Sequence, residues 1–461
     1  MNRIILFAVL SAFVCQISPA QSFGVSSNGR YIMKEGKPFF WLGDTAWELF
    51  HKLDREEAVY YLQKRASQGY TVIQAVALAE LDGLKVQNPY GDLPLINNDP
   101  AQPNEAYFKH VDYIIDKADE NGLNIGFLPT WGDKLYKAGW GLGPEIFNTN
   151  NARVYGRWLG NRYKNKKNVI WILGGDRNPR AGTNDTEVWR AMAAGIAEGL
   201  GGNSNALMTF HPQPNKDGAS EWFHNDDWLD FNMFQTGHCR DTPVFENIQG
   251  SYDRSLVKPV LNGEPIYEDH PVCFNAGDLG ISNAYDVRKA AYLSLFAGAF
   301  GHTYGCHDIW QMHFPENQGV NGAATYWQQA LDLNGAGQMR HVRKLMESRP
   351  ILERVPDQSI VVENNLGAYE RIQATRGLDY AFIYSAIGKP FTVNLGIISG
   401  TEVRASWFDP RNGNVTVVGK IKNEGTLKFD PPASGYGQDW ILILDDTSKN
   451  FALPVYSDNI K

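Results

Sequence analysis

Two stretches of the chain share one pattern: Asn168-Val169-Ile170-Trp171-Ile172-Leu173-Gly174-Gly175-Asp176-Arg177-Asn178-Pro179 and Lys258-Pro259-Val260-Leu261-Asn262-Gly263-Glu264-Pro265. Each is an apolar run of strand length that ends in glycine, then a carboxylate, then a proline at or near the break. A continuous apolar run bounded by turn signals suits a strand buried on both faces, as in a parallel sheet. Glycine lets the backbone turn as the strand ends, and proline stops the ladder. Asp176 and Glu264 are therefore expected where buried strands open into loops. Two carboxylates that converge in this way are the pair that glycosidic cleavage uses, one as acid and one as nucleophile or base. Taken singly, Asp176 could pair with Arg177 and Glu264 could open a turn; it is the pair that points to catalysis. Burial beside Trp171 or Trp131, and the field of an ionised Glu264, would raise Asp176 toward the pKa of an acid. Donors such as His211, His238 or Tyr304 would keep Glu264 charged. The competing carboxylates Glu80, Asp133, Glu145, Glu268 and Asp308 lie in loops without the strand–glycine–acid context.

The elements that must position this pair alternate. Strand candidates are Phe39–Asp44, Thr71–Leu78, Asn124–Trp131, Asn168–Asp176, Leu207–Pro212, Phe231–His238, Pro259–Pro265 and His302–Trp310. Between them lie helical patterns. Asp54 is placed to cap one, with Ala58, Leu62 and Ala66 at four-residue spacing, and Asn104 to cap another through Phe108, Val111 and Ile115. Further helices are expected over 152–165, 186–199, 283–297 and 325–348. Eight such repeats, with no Gly-x-Gly-x-x-Gly after the first strand, favour a closed α/β barrel, the (β/α)8 TIM barrel, over a doubly wound sheet. Asp176 then ends the fourth strand and Glu264 the seventh, so their side chains can face each other across the barrel mouth. Other strand ends offer Asp44, Trp47, Gln74 and Trp131, then His211, His238 and Trp310, as a sugar-binding wall, tryptophan by stacking and the rest by hydrogen bonds to hydroxyls.

After Arg349-Pro350 the pattern changes to short alternating runs, such as Tyr380–Tyr384, Thr401–Phe408, Asn414–Val418 and Trp440–Leu444, separated by turn residues. This reads as a C-terminal antiparallel β-sandwich over 350–461, after a barrel over 21–349. Residues 1–20 read as a signal peptide: Arg3, an apolar stretch from Ile4 to Val14 too short to span a bilayer, and Ser18-Pro19-Ala20 as the cleavage site. An exported, periplasmic or secreted protein is expected. Removing that segment removes Cys15 and leaves Cys239, Cys273 and Cys306, an odd number that allows one bridge and matches no zinc spacing. The formal net charge of −8, without a block of Lys and Arg, argues against a nucleic-acid partner. No cofactor or metal set is expected, and the partner implied is an oligo- or polysaccharide.

Three motifs together resemble the apiosidase-like glycosidases, glycoside hydrolase family 140: Trp41-Leu42-Gly43-Asp44-Thr45-Ala46-Trp47, Gly174-Gly175-Asp176-Arg177-Asn178 and Asn262-Gly263-Glu264-Pro265. The stretches Trp407-Phe408-Asp409-Pro410-Arg411-Asn412-Gly413 and Gly437-Gln438-Asp439-Trp440 are similar to the β-module that follows such barrels. The resemblance implies a retaining mechanism, with Asp176 as acid/base and Glu264 as nucleophile. It also implies release of apiose from pectic side chains such as those of rhamnogalacturonan-II. Broader retaining barrels place Asn-Glu at the end of strand four, where this chain has Gly175-Asp176. Two other classes make different demands. A barrel that holds glycan without cutting it needs the aromatics and neither carboxylate. A metal-dependent hydrolase needs paired histidines on the first strand, where Gly43-Asp44-Thr45 has none, and His302 with His307 makes a poor ligand pair.

Overall fold

Short polar side chains start the helices. In the computed structural model, which describes residues 22–363 and 366–455, Asp54 caps the helix Arg55–Ser67 by accepting the Glu57 N–H, and the Glu57 carboxylate accepts the Asp54 N–H in return. Such a reciprocal cap satisfies two donors that the first turn would leave orphaned. Asn104, Asn148 and Asn283 cap Glu105–Glu120, Thr149–Tyr163 and Ala284–Phe296 in the same way or by a single bond. The helix expected over 325–348 is instead two, Trp327–Ala330 and Asn334–Glu347. Arg65 and Gln68 hold the Leu331 carbonyl at the break, and Glu268 accepts the N–H of Gly335 at the new start. Residues 1–20, the segment expected to be a signal peptide, lie outside the described residues. Among the described residues, no helix is long and apolar enough to cross a membrane.

A small antiparallel sheet comes first, β1 (Phe23–Val25), β2 (Ile32–Lys34) and β3 (Lys37–Phe39), which takes Phe39 from the run expected to begin the barrel. The barrel strands are β4 (Leu42–Thr45), β5 (Val72–Val76), β6 (Asn124–Leu128), β7 (Val169–Gly174), β8 (Met208–His211), β9 (Asn232–Gln235), β10 (Val260–Glu264) and β11 (Gly301–Tyr304). Each expected run supplies one of them. All are parallel, and β11 pairs with β4, joining the last barrel strand to the first and leaving β8 and β9 as the two ends of the sheet. At the seam between β8 and β9 the Asp230 N–H donates to the Met208 carbonyl and the Thr209 hydroxyl to the Phe231 carbonyl. Trp41, Ile170, Phe231 and Leu261 fill the interior together with Phe23 and Ile32 of the small sheet, which closes the amino end.

Alternation along each strand decides which residues can reach the mouth. Ile170 and Ile172 face inward, whereas Trp171 and Leu173 pack among the outer helices. Trp171 is therefore not the neighbour of Asp176 that the sequence offered. The same parity turns Leu42 and Asp44 outward. Asp44 is fully buried there, its Oδ2 accepting from Arg65 Nε at 2.6 Å and from the Tyr61 hydroxyl at 2.5 Å. It is a clamp between β4 and its following helix and does not line the sugar-binding wall for which it was proposed.

The C-terminal domain is a sandwich. Its larger antiparallel sheet orders β12 (Val355–Pro356), β13 (Ile372–Arg376), β14 (Tyr380–Ser385), β19 (Trp440–Asp446), β16 (Glu402–Phe408) and β17 (Val415–Lys422). The smaller pairs β15 (Phe391–Asn394) with β18 (Thr426–Phe429). Ala381 and Ile383 face the sandwich core, while Tyr380, Phe382 and Tyr384 face the barrel. There Tyr384 stacks on Tyr292 at 5.2 Å between ring centres and Phe382 on Phe296 at 6.1 Å. Arg288 to Asp439, at 2.5 Å, and Arg349 to Asp445, at 2.8 Å, flank this apolar contact.

Removing one partner of a buried ion pair leaves the other charge without compensation. Arg65→Met is therefore expected to lower the stability of the barrel by about 3–5 kcal/mol. Urea titration followed by near-ultraviolet circular dichroism measures this, and an unchanged midpoint would contradict the clamp.

Candidate active site

The end of β7 is shaped by backbone geometry that few residues tolerate. Gly174 and Gly175 have φ of 91° and 113°, and Asp176 itself follows at 51°. A β-carbon on Gly174 would lie 2.4 Å from the His211 carbonyl oxygen, and one on Gly175 2.7 Å from the Trp131 ring. Glycine is thus required twice to swing Asp176 out of the strand and over the mouth. The Gly175 N–H donates to the His211 carbonyl at 2.9 Å, and its own carbonyl accepts from Gly132 at 3.0 Å.

Glu264 reaches the mouth by a different device. Asn262 faces outward, bonded to Ser294 of the helix Ala284–Phe296, so strict alternation would turn Glu264 outward as well. The register against β9 shifts between Asn262 and Glu264. This irregularity at Gly263 reverses the parity and brings Glu264 inward. A β-carbon on Gly263 would meet the Met233 side chain at 2.0 Å. Gln74 donates from Nε2 to the Gly263 carbonyl at 3.0 Å and accepts from Thr303. Gln74 was expected in the sugar-binding wall; the structure places it below, fully buried, as the strut of this bulge.

Both carboxylates line one cavity of about 490 Å³, a size usual for small-molecule sites. Trp47, Trp131, His238 and Trp310 line it as well. His211 lies beneath, fully buried, between the two acids. The Asp176 N–H faces its Nδ1 at 3.4 Å, and its Nε2 is 2.8 Å from Glu264 Oε2. A backbone N–H can only donate, so Nδ1 accepts and the ring proton sits on Nε2, the nitrogen beside Glu264. His238 Nε2 stands 3.5 Å from the other Glu264 oxygen. Burial would raise the Glu264 carboxyl, but the His211 and His238 nitrogens beside it outweigh that and hold Glu264 well below the usual carboxylate range. Asp176 moves the opposite way. Burial and then the charge of Glu264 push it up to about 6, against the pull of Arg177. Tyr304, named as a donor to Glu264, instead gives its hydroxyl to Glu268 at 2.7 Å.

Of the competing carboxylates, four have other work. Asp133 pairs with Lys134 and accepts the N–H groups of Leu142 and Gly143, and Glu145 accepts that of Lys137. Glu268 is the helix cap already described, and Asp308 accepts from Ala324 and Thr325. Glu80 differs: it lines the cavity. Sequence reading also passed over Tyr267, Gln235, Trp140 and Phe274 in the wall. Gln235 ends β9, where the strand-end rule could have found it; the others stand in loops whose course only the fold fixes. His270 was missed too. It lies between His238, tilted, and His307, edge-on, with ring centres 4.4 and 4.5 Å away, and His302 is buried inside the barrel with no hydrogen-bond partner among the described residues. Cys239 and Cys273 form a disulfide, while Cys306 is free and buried. The bridge joins the residue after His238 to the residue before Phe274, so it ties two segments of the wall together. Four buried polar atoms in the wall make no hydrogen bond among the described residues: Trp131 Nε1, Gln235 Oε1, His238 Nδ1 and Glu264 Oε2. A ligand rich in hydroxyls would satisfy them.

Comparison with known proteins gives a consistent picture. The family described as "Apiosidase-like, catalytic domain" matches residues 26–353, and "Putative collagen-binding domain of a collagenase" matches residues 355–445. A solved structure titled glycoside hydrolase is 37% identical, with a TM-score of 0.85 over 94% of this chain and 98% of its own. A glycoside hydrolase family 5 structure from Bacteroides vulgatus is 35% identical, with a TM-score of 0.86 over 95% of each chain. A third, also from Bacteroides vulgatus, shares the fold at 13% identity and a TM-score of 0.66, over 92% of this chain and 82% of its own. No curated protein sequence matches the chain at a significant level.

The glycine geometry yields a test. Gly175→Ala is expected to push Asp176 and Trp131 apart while leaving the barrel folded. A misplacement of about 1 Å costs on the order of a hundredfold in rate. Turnover of a glycoside substrate, read beside circular dichroism, checks this; full activity would contradict it.

Proposed function

The chain belongs to the apiosidase-like family of glycoside hydrolases, and on that premise we propose that it is an exported retaining glycosidase that releases apiose from pectic side chains such as those of rhamnogalacturonan-II. Glu264, kept ionised by His211 and His238, attacks the anomeric carbon. Asp176 gives its proton to the leaving oxygen, and the sugar is held for a moment as a glycosyl ester on Glu264. Asp176, now a base, takes a proton from water, which attacks the anomeric carbon and frees both sugar and Glu264. The observation that carries this reading is the opposed tuning of two carboxyls on one cavity, Glu264 below its usual range and Asp176 up to about 6.

Retention, which would set the two carboxyls roughly 5–5.5 Å apart, is carried over from the family. Apiose and pectin come from the family. Export is supported by the charged start, apolar stretch and small-residue site of residues 1–20, and by the Cys239–Cys273 bridge, which suits an oxidising compartment. Trp47, Trp131 and Trp310 supply ring faces for the bound sugar, and His238 a hydrogen bond.

The pKa directions set the pH dependence. The first step needs Glu264 ionised and Asp176 protonated, so kcat/KM is expected to fall as pH rises through about 6. The acid limb should lie well below the range of a free carboxylate. His211→Phe, which removes the donor, should move that acid limb upward. A pH profile with no alkaline limb near 6 would reject Asp176 as the acid.

The reaction itself is tested on apiose-bearing pectic oligosaccharides. Release of apiose is expected, with the first-formed anomer retaining the configuration of the substrate by time-resolved NMR. Release of another sugar would overturn the apiose assignment, and the opposite anomer the retaining mechanism. Asp176→Asn should lower kcat on the oligosaccharide by about 10²–10⁴-fold.

A further inference from the structure

The loop between β6 and the helix Thr149–Tyr163 presents Trp140 at the cavity wall with 54% of its surface exposed. An exposed tryptophan is ordinarily a loop accident, but this loop is built to hold it. Buried Asp133 accepts the N–H groups of Leu142 and Gly143 at 3.2 and 3.0 Å. Buried Arg177 takes the Lys137 carbonyl at 2.9 Å, and the Gly141 N–H donates to the same carbonyl at 3.0 Å. Gly141 lies so close that a β-carbon there would stand 2.7 Å from Arg177 Nη2. The indole lies over the Arg177 guanidinium, 4.6 Å from its carbon to the ring centre, a cation–π contact that fixes the plane of the ring.

Arg177 also fixes which side of the reaction this platform serves. Its Nη1 donates to the Asp176 carbonyl at 2.6 Å and lies 3.4 Å from the Asp176 carboxylate. Trp140 is thus one guanidinium away from the group assigned to protonate the leaving oxygen. His238 and Tyr267, in contrast, belong to the Glu264 side. Glu80 belongs with Trp140. Lys134, the ion-pair partner of Asp133, donates to its carbonyl at 3.2 Å, and among the described residues its own carboxyl makes no hydrogen bond or ion pair.

We propose that Trp140 and Glu80 form a subsite for the leaving saccharide, Trp140 stacking on the C–H face of a pyranose ring and Glu80 hydrogen bonding its hydroxyls. This rests on Asp176 being the acid. Burial, and then the charge of Asp176, raise the Glu80 carboxyl well above its ordinary value. A protonated carboxyl both donates and accepts, as a sugar hydroxyl does. The reaction requires nothing further of either residue, since the proton and the nucleophile come from Asp176 and Glu264.

The test compares two substrates that share a glycone, apiosyl fluoride, whose leaving group has no ring to stack, and an apiosylated pyranose oligosaccharide. For Trp140→Ala the ratio of kcat/KM on the oligosaccharide to that on the fluoride is expected to fall roughly ten- to a hundredfold. Trp140→Tyr should restore most of it, and Glu80→Gln should raise KM for the oligosaccharide more than it lowers kcat. An unchanged ratio for Trp140→Ala would overturn the proposal, because both substrates would then be losing only the support that Trp140 gives Arg177. If the wild type cleaves neither substrate, the apiose assignment falls, and calorimetric titration of the oligosaccharide decides the subsite separately. Weaker binding to Trp140→Ala than to wild type supports it; equal or absent binding overturns it.

Discussion

One imidazole stands between the two carboxylates of the cavity. His211 accepts from the Asp176 N–H on one nitrogen and sets the other 2.8 Å from Glu264. A buried carboxylate is costly unless donors surround it. This histidine lets Glu264 remain ionised in a setting that would otherwise neutralise it. The charge so preserved helps lift Asp176 to about 6. The asymmetry between two chemically similar acids therefore starts from a side chain that does not itself line the cavity.

That contact places heavy demands on the backbone. His211 must be buried with its nitrogens in one orientation, and it is held edge-on by Trp47 at 5.4 Å between ring centres and tilted against Trp131 at 5.8 Å. Asp176 must leave β7 through three consecutive positive φ angles. Glu264 must break the alternation of β10, with Gln74 holding the bulge from across the barrel. These are local departures from regular structure, supported by a regular frame. The Asp44–Arg65 clamp, the seam at Asp230 and the Tyr384–Tyr292 stack belong to that frame, and none of them touches the cavity.

Much of the frame was legible. Eight apolar runs gave eight parallel strands because burial on both faces leaves a continuous signal that needs no partner to be recognised. Caps at Asp54 and Asn104 were readable because capping is chemistry within one turn. The break at Leu331–Leu333 was not, since the groups that hold it, Arg65, Gln68 and Glu268, lie far away in the chain. The site divides along the same line. Trp47, Trp131 and His238 sit just past strand ends and do line the cavity, as does Trp310, which ends the short helix His307–Trp310 rather than the strand expected there. Asp44 and Gln74 sit at strand ends too, but the parity of the strand and a distant bulge gave them other partners.

By itself, then, the sequence determined the strands, the helix starts and the two glycine–acid endings, all consequences of neighbours a few residues apart. Only the tertiary structure decided which way each strand-end side chain points, which histidine bridges the acids, and that Cys239 pairs with Cys273. Those outcomes depend on barrel closure and on the register between strands, which bring together groups separated by tens to hundreds of residues. A single displaced residue at Gly263 reverses a side chain from one face to the other, and no local pattern records that shift.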